Sequence, residues 1–200
     1  MGTPEDVSAD AAPARLPRAL IDSFQGSFDF SPLPPADAAT TAEEEQEARG
    51  FRDVLGRFCS GVTVVTAMTG AGPVGLTCQS FSSVSLRPPL VMFVPARTSR
   101  AWPLIQDAGH FTVNLLSARQ EAVSNQFART GADKYAGVDW SSSALGDPQL
   151  TGSLAWIDCT IEAVHEAGDH YLVVGRVQEL TVGDADDPLV FFRSAYRSLG

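Results

Sequence analysis

The chain has 200 residues and a formal net charge of −10 at pH 7, with 44% hydrophobic and 8% aromatic residues. This length allows one domain with a tail, and no run approaches the roughly 18 apolar residues that a membrane-spanning helix needs. Ten acidic and three basic residues in the first 50 positions carry −7, so the nearly neutral remainder has no basic surface for nucleic acid.

Three cysteines, Cys59, Cys78 and Cys159, are odd in number and widely spaced. This spacing predicts free thiols rather than a disulfide framework or a CxxC metal pair. The N-terminus is acidic and rich in Ala and Pro, without the charged and apolar regions of a signal peptide. Because the sequence shows neither a signal peptide nor a membrane-spanning run, we expect a cytoplasmic protein that has no membrane partner. Free thiols are stable in such a reducing compartment.

The first 45 residues have a disordered-tail composition, with six prolines among Ala, Thr, Asp and Glu. Within them, residues 16–30 hold several apolar side chains that could dock on a partner or on the domain. A disordered N-terminal segment explains the composition better. We therefore expect a disordered, acidic, Pro-rich leader over residues 1–45 and one folded domain over residues 46–200.

The domain begins with a predicted helix over residues 43–58, in which Phe51, Val54, Leu55 and Phe58 share one face. Alternating β-branched residues predict a strand over 61–69, a turn at 70–73 and a second strand from residue 74. Residues 70–75 match GxGxxG formally. Pro73 stands where that motif would open a helix, and no acidic residue follows at the required spacing, so we interpret this segment as a hairpin turn.

Further along, the pattern predicts strands over 90–94 and 111–116 and two long strands joined at Gly168–Asp169. Helices are predicted over 99–108, with Ser99 as N-cap and Pro103 in the first turn, and over 117–130. The two long predicted strands cover residues 154–166 and 171–182, and a last short strand covers residues 189–192. Hairpin connections without βαβ alternation indicate a mainly β protein, an antiparallel barrel with appended helices.

Residues 77–85 carry many Ser, Thr and Gln side chains between apolar positions. Buried polar groups without partners cost about 1–3 kcal/mol each, so a buried strand of this kind needs a reason. A flat polar ligand lying on backbone N–H groups and small hydroxyls would supply it. A solvent-facing edge strand would explain the same composition, and both interpretations remain open.

Two smaller groups are candidates for ligand contacts. Thr98, Ser99 and Arg100 could form an anion site at a helix N-terminus, or Ser99 could be an ordinary cap. His170 follows a Gly-Asp turn, from which a side chain can be aimed across a cleft. His165 lies across the same turn, but no third ligand has suitable spacing, so we expect no metal site. The motifs of hydrolases and NTPases, GxSxG, HExxH and the Walker loop, are absent from the sequence.

Four segments together carry a resemblance to a known family. They read FRDVLGRFCSGVTVVTA (51–67), GLTCQSFSSVSLRPPLVMF (75–93), GDHYLVVGRV (168–177) and PLVFFRSAYRSL (188–199). In this order and spacing the chain resembles the short-chain flavin reductases, the small partners of two-component flavin-dependent monooxygenases. It looks closest to reductases that serve hydroxylases of aromatic or steroid-derived phenols.

The resemblance implies an FMN-binding split β-barrel, a homodimer with its site near the subunit interface. It also implies NADH- or NADPH-driven reduction of FMN or FAD and diffusion of the reduced flavin to a partner monooxygenase. Carried over by position, the residues that would cradle the isoalloxazine ring and ribityl chain are Thr77, Cys78, Gln79, Ser80, Phe81, Ser83 and Val84. Thr98, Ser99 and Arg100 would meet the phosphate, and His170 and Tyr196 would contact the nicotinamide nucleotide.

The sequence departs from the family pattern at two places. Cys78 and Gln79 stand where the family often has Asn or Ala, so local flavin contacts could differ, and the acidic leader is not part of the pattern. Hydride transfer from nicotinamide C4 to flavin N5 needs no general acid or base, so we name no catalytic residue and expect His170 to position the rings. Two alternatives stay open: a flavoprotein oxidase or electron carrier that retains its flavin, and a non-catalytic flavin-binding barrel.

Overall fold

The computed structural model describes residues 41–131 and 133–199. Residues 1–40, which form most of the predicted leader and include the apolar segment 16–30, lie outside the described residues. The first described helix, α1 (Ala42–Leu55), begins at a capping box: Glu44 N donates to Thr41 Oγ1 at 3.2 Å, and Thr41 N donates to Glu44 Oε2 at 2.7 Å. Helix α1 therefore begins before the predicted domain start at residue 46.

The fold is mainly β, as predicted. The strands are β1 (Ser60–Gly61), β2 (Thr63–Thr69), β3 (Gly72–Cys78), β4 (Ser82–Leu86), β5 (Pro89–Phe93), β6 (His110–Leu115), β7 (Trp140–Ser142), β8 (Pro148–Leu150), β9 (Ala155–Ala167), β10 (His170–Val182), β11 (Val190–Phe192) and β12 (Ala195–Arg197). Seven of them form one antiparallel sheet in the order β3-β2-β6-β9-β10-β5-β4, and a three-stranded sheet (β1-β11-β12) and a small hairpin (β7-β8) accompany it. Two further helices are α2 (Trp102–Ala108) and α3 (Glu121–Ala128).

The sheet curls around a core of large apolar side chains. Phe93 and Phe111 pack edge to face with ring centroids 5.0 Å apart, and both are fully buried. Gly175 of β10 makes this packing possible, because a Cβ at that position would overlap the Phe111 ring and lie 3.1 Å from Cys159 Cβ. The register of β9 and β10 shifts between Val174 and Gly175, the kind of bulge that bends a strand around a barrel.

Strands β3 and β4 are the two edges of the sheet, and Ser80 joins the end of β3 to the end of β5. Its hydroxyl accepts a hydrogen bond from Val94 N at 2.9 Å and donates to Val94 O at 3.3 Å. These two bonds fasten the end of β3 to the end of β5, while the other edge of β3 is not paired with any strand of the described residues.

The structure corrects several predicted boundaries. Ser99 is not the N-cap of a helix, because α2 begins at Trp102 with Ala101 at the cap, although Pro103 does lie in the first turn. The predicted helix over residues 117–130 is a 3₁₀ turn (Ala118–Gln120) followed by the shorter α3. Strands β7, β8 and β12 were not predicted, since each has only three residues and shows too little alternation to be recognised.

A buried polar cluster fixes the β7-β8 hairpin to the barrel. Asn114 donates from Nδ2 to Val64 O at 3.0 Å and accepts from Leu150 N at 2.6 Å. Asp147, whose side chain is fully buried, accepts from Met68 N at 2.7 Å and contacts His110 Nδ1 at 2.8 Å. These bonds anchor the β7-β8 hairpin to β2 and β6. Before the hairpin, Lys134 and Tyr135 bond to carbonyls of β3.

Candidate functional site

A trough of about 1260 Å³ runs along the free edge of β3. Strand β3 and the residues up to Ser80 form its floor. The first wall consists of residues 94–96 and 98–101 with His170, and the second wall consists of residues 125, 127–131 and 133–135 with the C-terminal hairpin β11-β12. The residues that line the trough are Pro73–Ser80, Val94–Ala96, Thr98–Ala101, Leu104, Asn125, Phe127–Gly131, Asp133–Tyr135, Ala167, His170, Phe191, Ser194 and Tyr196.

The hydroxyls of the floor already have protein partners. Thr77 donates from Oγ1 to Ser124 O at 2.6 Å, which ties β3 to α3. Ser80 binds both backbone groups of Val94, and its Oγ also lies 3.0 Å from Cys78 Sγ. The polar composition of this segment is therefore partly explained by internal hydrogen bonds. Main-chain groups and the exposed Gln79 side chain are left to face a ligand.

The first wall is a loop fastened to the turn that carries His170. Tyr171 N donates to Pro95 O, and Arg97 N donates to Asp169 O, each at 2.9 Å. His170 Nδ1 lies 2.7 Å from Asp169 Oδ1, and this hydrogen bond holds the pKa of the Asp169 carboxyl below its usual range. These contacts place His170 on the same wall of the trough as the 98–100 cluster.

Within that cluster only part of the polar capacity is used by the protein. Ser99 Oγ accepts a hydrogen bond from Trp102 N at 3.2 Å, whereas Thr98 and Arg100 have exposed side chains. Helix α2 begins two residues after Arg100 and has only seven residues, so the predicted anion site at a helix N-terminus is wrong in its geometry. Any anion bound here would be held by the loop side chains and by the Arg100 charge.

The second wall is clamped to α3 and to β3. Gln126 Nε2 donates to the carbonyls of Asp133, Lys134 and Ala136 at 3.3, 3.1 and 2.9 Å. Tyr135 donates from its hydroxyl to Val74 O at 2.8 Å. Burial, with the charge of Asp147 as a smaller cause, raises the pKa of that hydroxyl far above its usual range, so Tyr135 stays a neutral donor.

Tyr196 lies in this second wall rather than beside His170. Its hydroxyl is 2.8 Å from Ser124 Oγ and 3.2 Å from Asn125 Oδ1, and its ring packs edge to face on Phe191 with centroids 5.3 Å apart. The phenol is therefore already hydrogen-bonded to the protein. The ring, which contributes to the trough surface, is the part of Tyr196 that remains for a ligand.

Of the twelve predicted site residues, the trough brings together Thr77, Cys78, Gln79, Ser80, Thr98, Ser99, Arg100, His170 and Tyr196. Phe81, Ser83 and Val84 are not among its lining residues. Phe81 is half-buried and packs against the core, and Ser83 and Val84 are exposed on the edge strand β4, so their roles stay predictions. Residues that the sequence reasoning missed include Phe127 and Lys134. The one available signal was that Lys134 is the only lysine of the chain.

The donor set of the trough fits a flavin. A three-ring system with carbonyl and ring-nitrogen acceptors can lie on an edge strand, since such a strand offers main-chain N–H groups that no neighbouring strand uses. A cation and free hydroxyls at one wall suit a phosphate. In residues 41–131 and 133–199, no group of three or more His, Cys, Asp or Glu side chains could hold a metal ion.

Comparison with known proteins gives concordant results. A family model described as a flavin reductase like domain matches residues 55–200. The chain is 48% identical over 158 residues to the reductase subunit HsaB of a flavin-dependent monooxygenase from Rhodococcus jostii, covering 79% of this chain and 81% of that protein.

Two solved structures are similar in fold. Component B of nitrilotriacetate monooxygenase from Mycobacterium thermoresistibile superposes with a TM-score of 0.77 at 46% identity, covering 78% of this chain and 89% of that one. The NADH:FAD oxidoreductase SgcE6 from Streptomyces globisporus, in complex with NAD and FAD fragments, gives a TM-score of 0.73 at 32% identity and covers 81% and 98% of the two chains.

Proposed function

Because this chain belongs to the flavin reductase like family, we propose that it reduces FMN or FAD with NADH or NADPH and releases the reduced flavin to a partner monooxygenase. The chain is an NAD(P)H:flavin oxidoreductase, and its relatives are reductase components of two-component systems. The observation that carries the proposal is the single trough that joins the free edge of β3, the Thr98–Arg100 cluster and His170.

The chemistry of the step belongs to the two substrates. A nicotinamide gives a hydride from C4 to flavin N5, and the protein contributes binding and orientation. The Cys78–Ser80 backbone is proposed to support the flavin ring system from below, with Thr77 holding the floor in place. The Arg100 guanidinium is proposed to bind the phosphate. His170, fixed through Asp169, would hold the nicotinamide nucleotide at near-attack distance.

For the partner, we propose a monooxygenase that hydroxylates an aromatic or phenolic compound. The support is the 48% identity to a reductase subunit of a flavin-dependent monooxygenase, together with the resemblance of the four sequence segments. The reduced flavin would travel by diffusion, which suits a trough that is lined in part by exposed residues.

A second copy of the chain is the proposed subunit partner. Helix α1 buries none of its residues, and Phe51, Val54 and Leu55 are 66%, 66% and 53% exposed. Single exposed apolar residues are normal, but a continuous stripe of this kind indicates a covered surface. Analytical ultracentrifugation of the wild type and of Phe51→Glu tests this: a dimer that dissociates in the variant supports the proposal, and a wild-type monomer contradicts it.

No helix among the described residues is long and apolar enough to cross a membrane. The three cysteines are free, with Cys59 exposed and Cys78 and Cys159 buried. An exposed free thiol is stable where the surroundings are reducing, which supports the proposal that the protein works in the cytoplasm.

One assay tests the proposed function. Purified protein is mixed anaerobically with each pairing of FMN or FAD with NADH or NADPH, and loss of flavin absorbance is followed. Catalytic bleaching of flavin in large excess over protein is expected with at least one pairing. A yellow protein that stays oxidised in NADH and NADPH would indicate a flavin-binding module instead, and a protein that reduces only its own bound flavin would indicate an electron carrier.

A further inference from the structure

The only lysine of the chain points its charge into the trough. The sequence has thirteen arginines and one lysine, Lys134. The Nζ of Lys134 donates a hydrogen bond to Gly75 O at 2.9 Å. The ammonium therefore lies against the floor strand β3. An ammonium carries three N–H donors, and this bond uses one of them.

The charge of Lys134 has no counter-ion among the residues that the structure describes. In residues 41–131 and 133–199, no carboxylate forms an ion pair with Nζ. Partial burial lowers the pKa of Lys134, because desolvation disfavours the charged form. A half-buried cation without a counter-ion favours a ligand that brings negative charge.

The lysine is also held in place before any ligand binds. The Gln126 amide binds the carbonyl of Lys134 and those of two neighbouring residues, and the Tyr135 hydroxyl binds β3 one residue before Gly75. The Tyr135 ring packs edge to face on Phe127 with centroids 5.0 Å apart. Because the backbone on both sides of the side chain is fixed, the ammonium has a defined position.

Lys134 and Arg100 belong to opposite walls of the trough. Ser80 ties the end of the floor to Val94, which leads into the first wall and Arg100. Gly75 lies three residues before Cys78 on β3, about 10 Å away along an extended strand. A flavin whose phosphate is bound at Arg100 and whose ring system rests on the Cys78–Ser80 backbone would therefore extend along β3 towards Lys134, with the ring edge remote from the phosphate facing the ammonium.

We propose that Lys134 is the ring-side cation of the flavin site and binds reduced flavin more tightly than oxidised flavin. The inference rests on the proposed function. When the nicotinamide C4–H bond breaks, the hydride and its two electrons form the N5–H bond. The neutral flavin ring then gains one negative charge, shared by N1 and the C2 carbonyl, and the nicotinamide becomes a cation. Lys134 provides the matching positive charge for that anion.

The test measures the dissociation constants of oxidised and of dithionite-reduced flavin for wild type, Lys134→Gln and Lys134→Met, under anaerobic conditions without nicotinamide. Glutamine can keep a hydrogen bond to Gly75 O while removing the charge, so it serves if the methionine variant fails to fold. We expect both variants to bind reduced flavin about tenfold more weakly, with less than about a twofold change for oxidised flavin. A tenfold change in this ratio lowers the midpoint potential of the bound flavin by about 30 mV.

Riboflavin and FMN are both used as ligands, because riboflavin has no phosphate. A charge that acts on the ring changes the two ligands equally, so a loss confined to FMN would overturn the inference. Lys134→Arg is expected to restore the preference for the reduced state. Arg119→Met, which removes an exposed charge from a residue that does not line the trough, is expected to leave it unchanged.

Three other results would also overturn the inference: equal weakening of both oxidation states, unchanged binding of both, and an effect seen only on the KM for NADH. These outcomes differ from a failure of the proposed function. A wild-type protein that binds neither flavin and reduces neither would overturn the proposed function and this inference together. A wild-type protein that reduces flavin while its variants keep the wild-type ratio would overturn only the role of Lys134.

Discussion

Arg100→Ala gives the most direct test of the proposed phosphate end. A hydrogen bond to a charged group contributes about 1.5–3 kcal/mol. The Arg100 side chain is exposed, so solvent screening places the expected loss at the lower end, about 1.5 kcal/mol. Since about 1.4 kcal/mol corresponds to a factor of ten, the dissociation constant for FMN should rise roughly tenfold.

The assay is an equilibrium titration of FMN and of riboflavin against both proteins. Riboflavin affinity should be the same for wild type and Arg100→Ala, because riboflavin has no phosphate to lose. The FMN difference should shrink as ionic strength rises, as expected for an exposed ionic contact. The four dissociation constants form a cycle that isolates the coupling between Arg100 and the phosphate.

Arg97→Ala is the matched control on the same loop. Its guanidinium is 5.9 Å from the centre of the Tyr171 ring and 3.9 Å from Glu166 Oε2, and it does not line the trough. We expect less than about a twofold change in FMN affinity. The reasoning is refuted if Arg100→Ala weakens FMN and riboflavin equally, or weakens neither.

The remaining predictions concern the nicotinamide contact, the core and pH. His170→Ala should lower the flavin reduction rate or raise the NADH KM about tenfold, about 1.4 kcal/mol, in stopped-flow assays; unchanged kinetics would remove His170 from the site. Gly175→Ala should cost about 1–3 kcal/mol of unfolding free energy in urea, because its methyl group overlaps Phe111, whereas Gly61→Ala, with open space, should cost much less. Burial raises the pKa of Asp158 above its usual 3.8, so this group stabilises the fold at low pH and loses that contribution as pH rises through its folded-state pKa. The unfolding free energy of wild type relative to Asp158→Asn should therefore fall as pH rises above about 4, and a difference that is constant with pH would contradict this.

Much of the barrel could be predicted because its strands carry their own pattern. The β2-β3 hairpin was recognised from β-branched alternation around a Gly-Pro turn, and the β9-β10 hairpin from two long apolar runs around Gly168–Asp169. These signals are local and strong. The rejection of a dinucleotide fingerprint at residues 70–75 is confirmed, since Gly72 begins β3 rather than a helix.

The site was predicted less completely, because its second wall depends on contacts distant in sequence. Lys134 reaches Gly75 across 59 positions, and Asp147 reaches Met68 across 79. Neither contact leaves a periodic signal. The sequence predicted that Ser99 caps the helix. Its hydroxyl does accept a hydrogen bond from Trp102 N, but Ser99 lies in a turn before the helix, and Ala101 occupies the cap position.

The paired hydroxyls of the floor have a consequence for how a ligand can bind. Thr77 and Ser80 are each committed to a backbone partner, so neither side chain has rotamers left to lose when the trough is filled. Such preorganisation reduces the entropic cost of ligand binding, so a small number of contacts with the ligand can provide the affinity. A cofactor held in this way can enter and leave quickly while its orientation stays well defined, which is the behaviour required of a protein that hands its product to another enzyme.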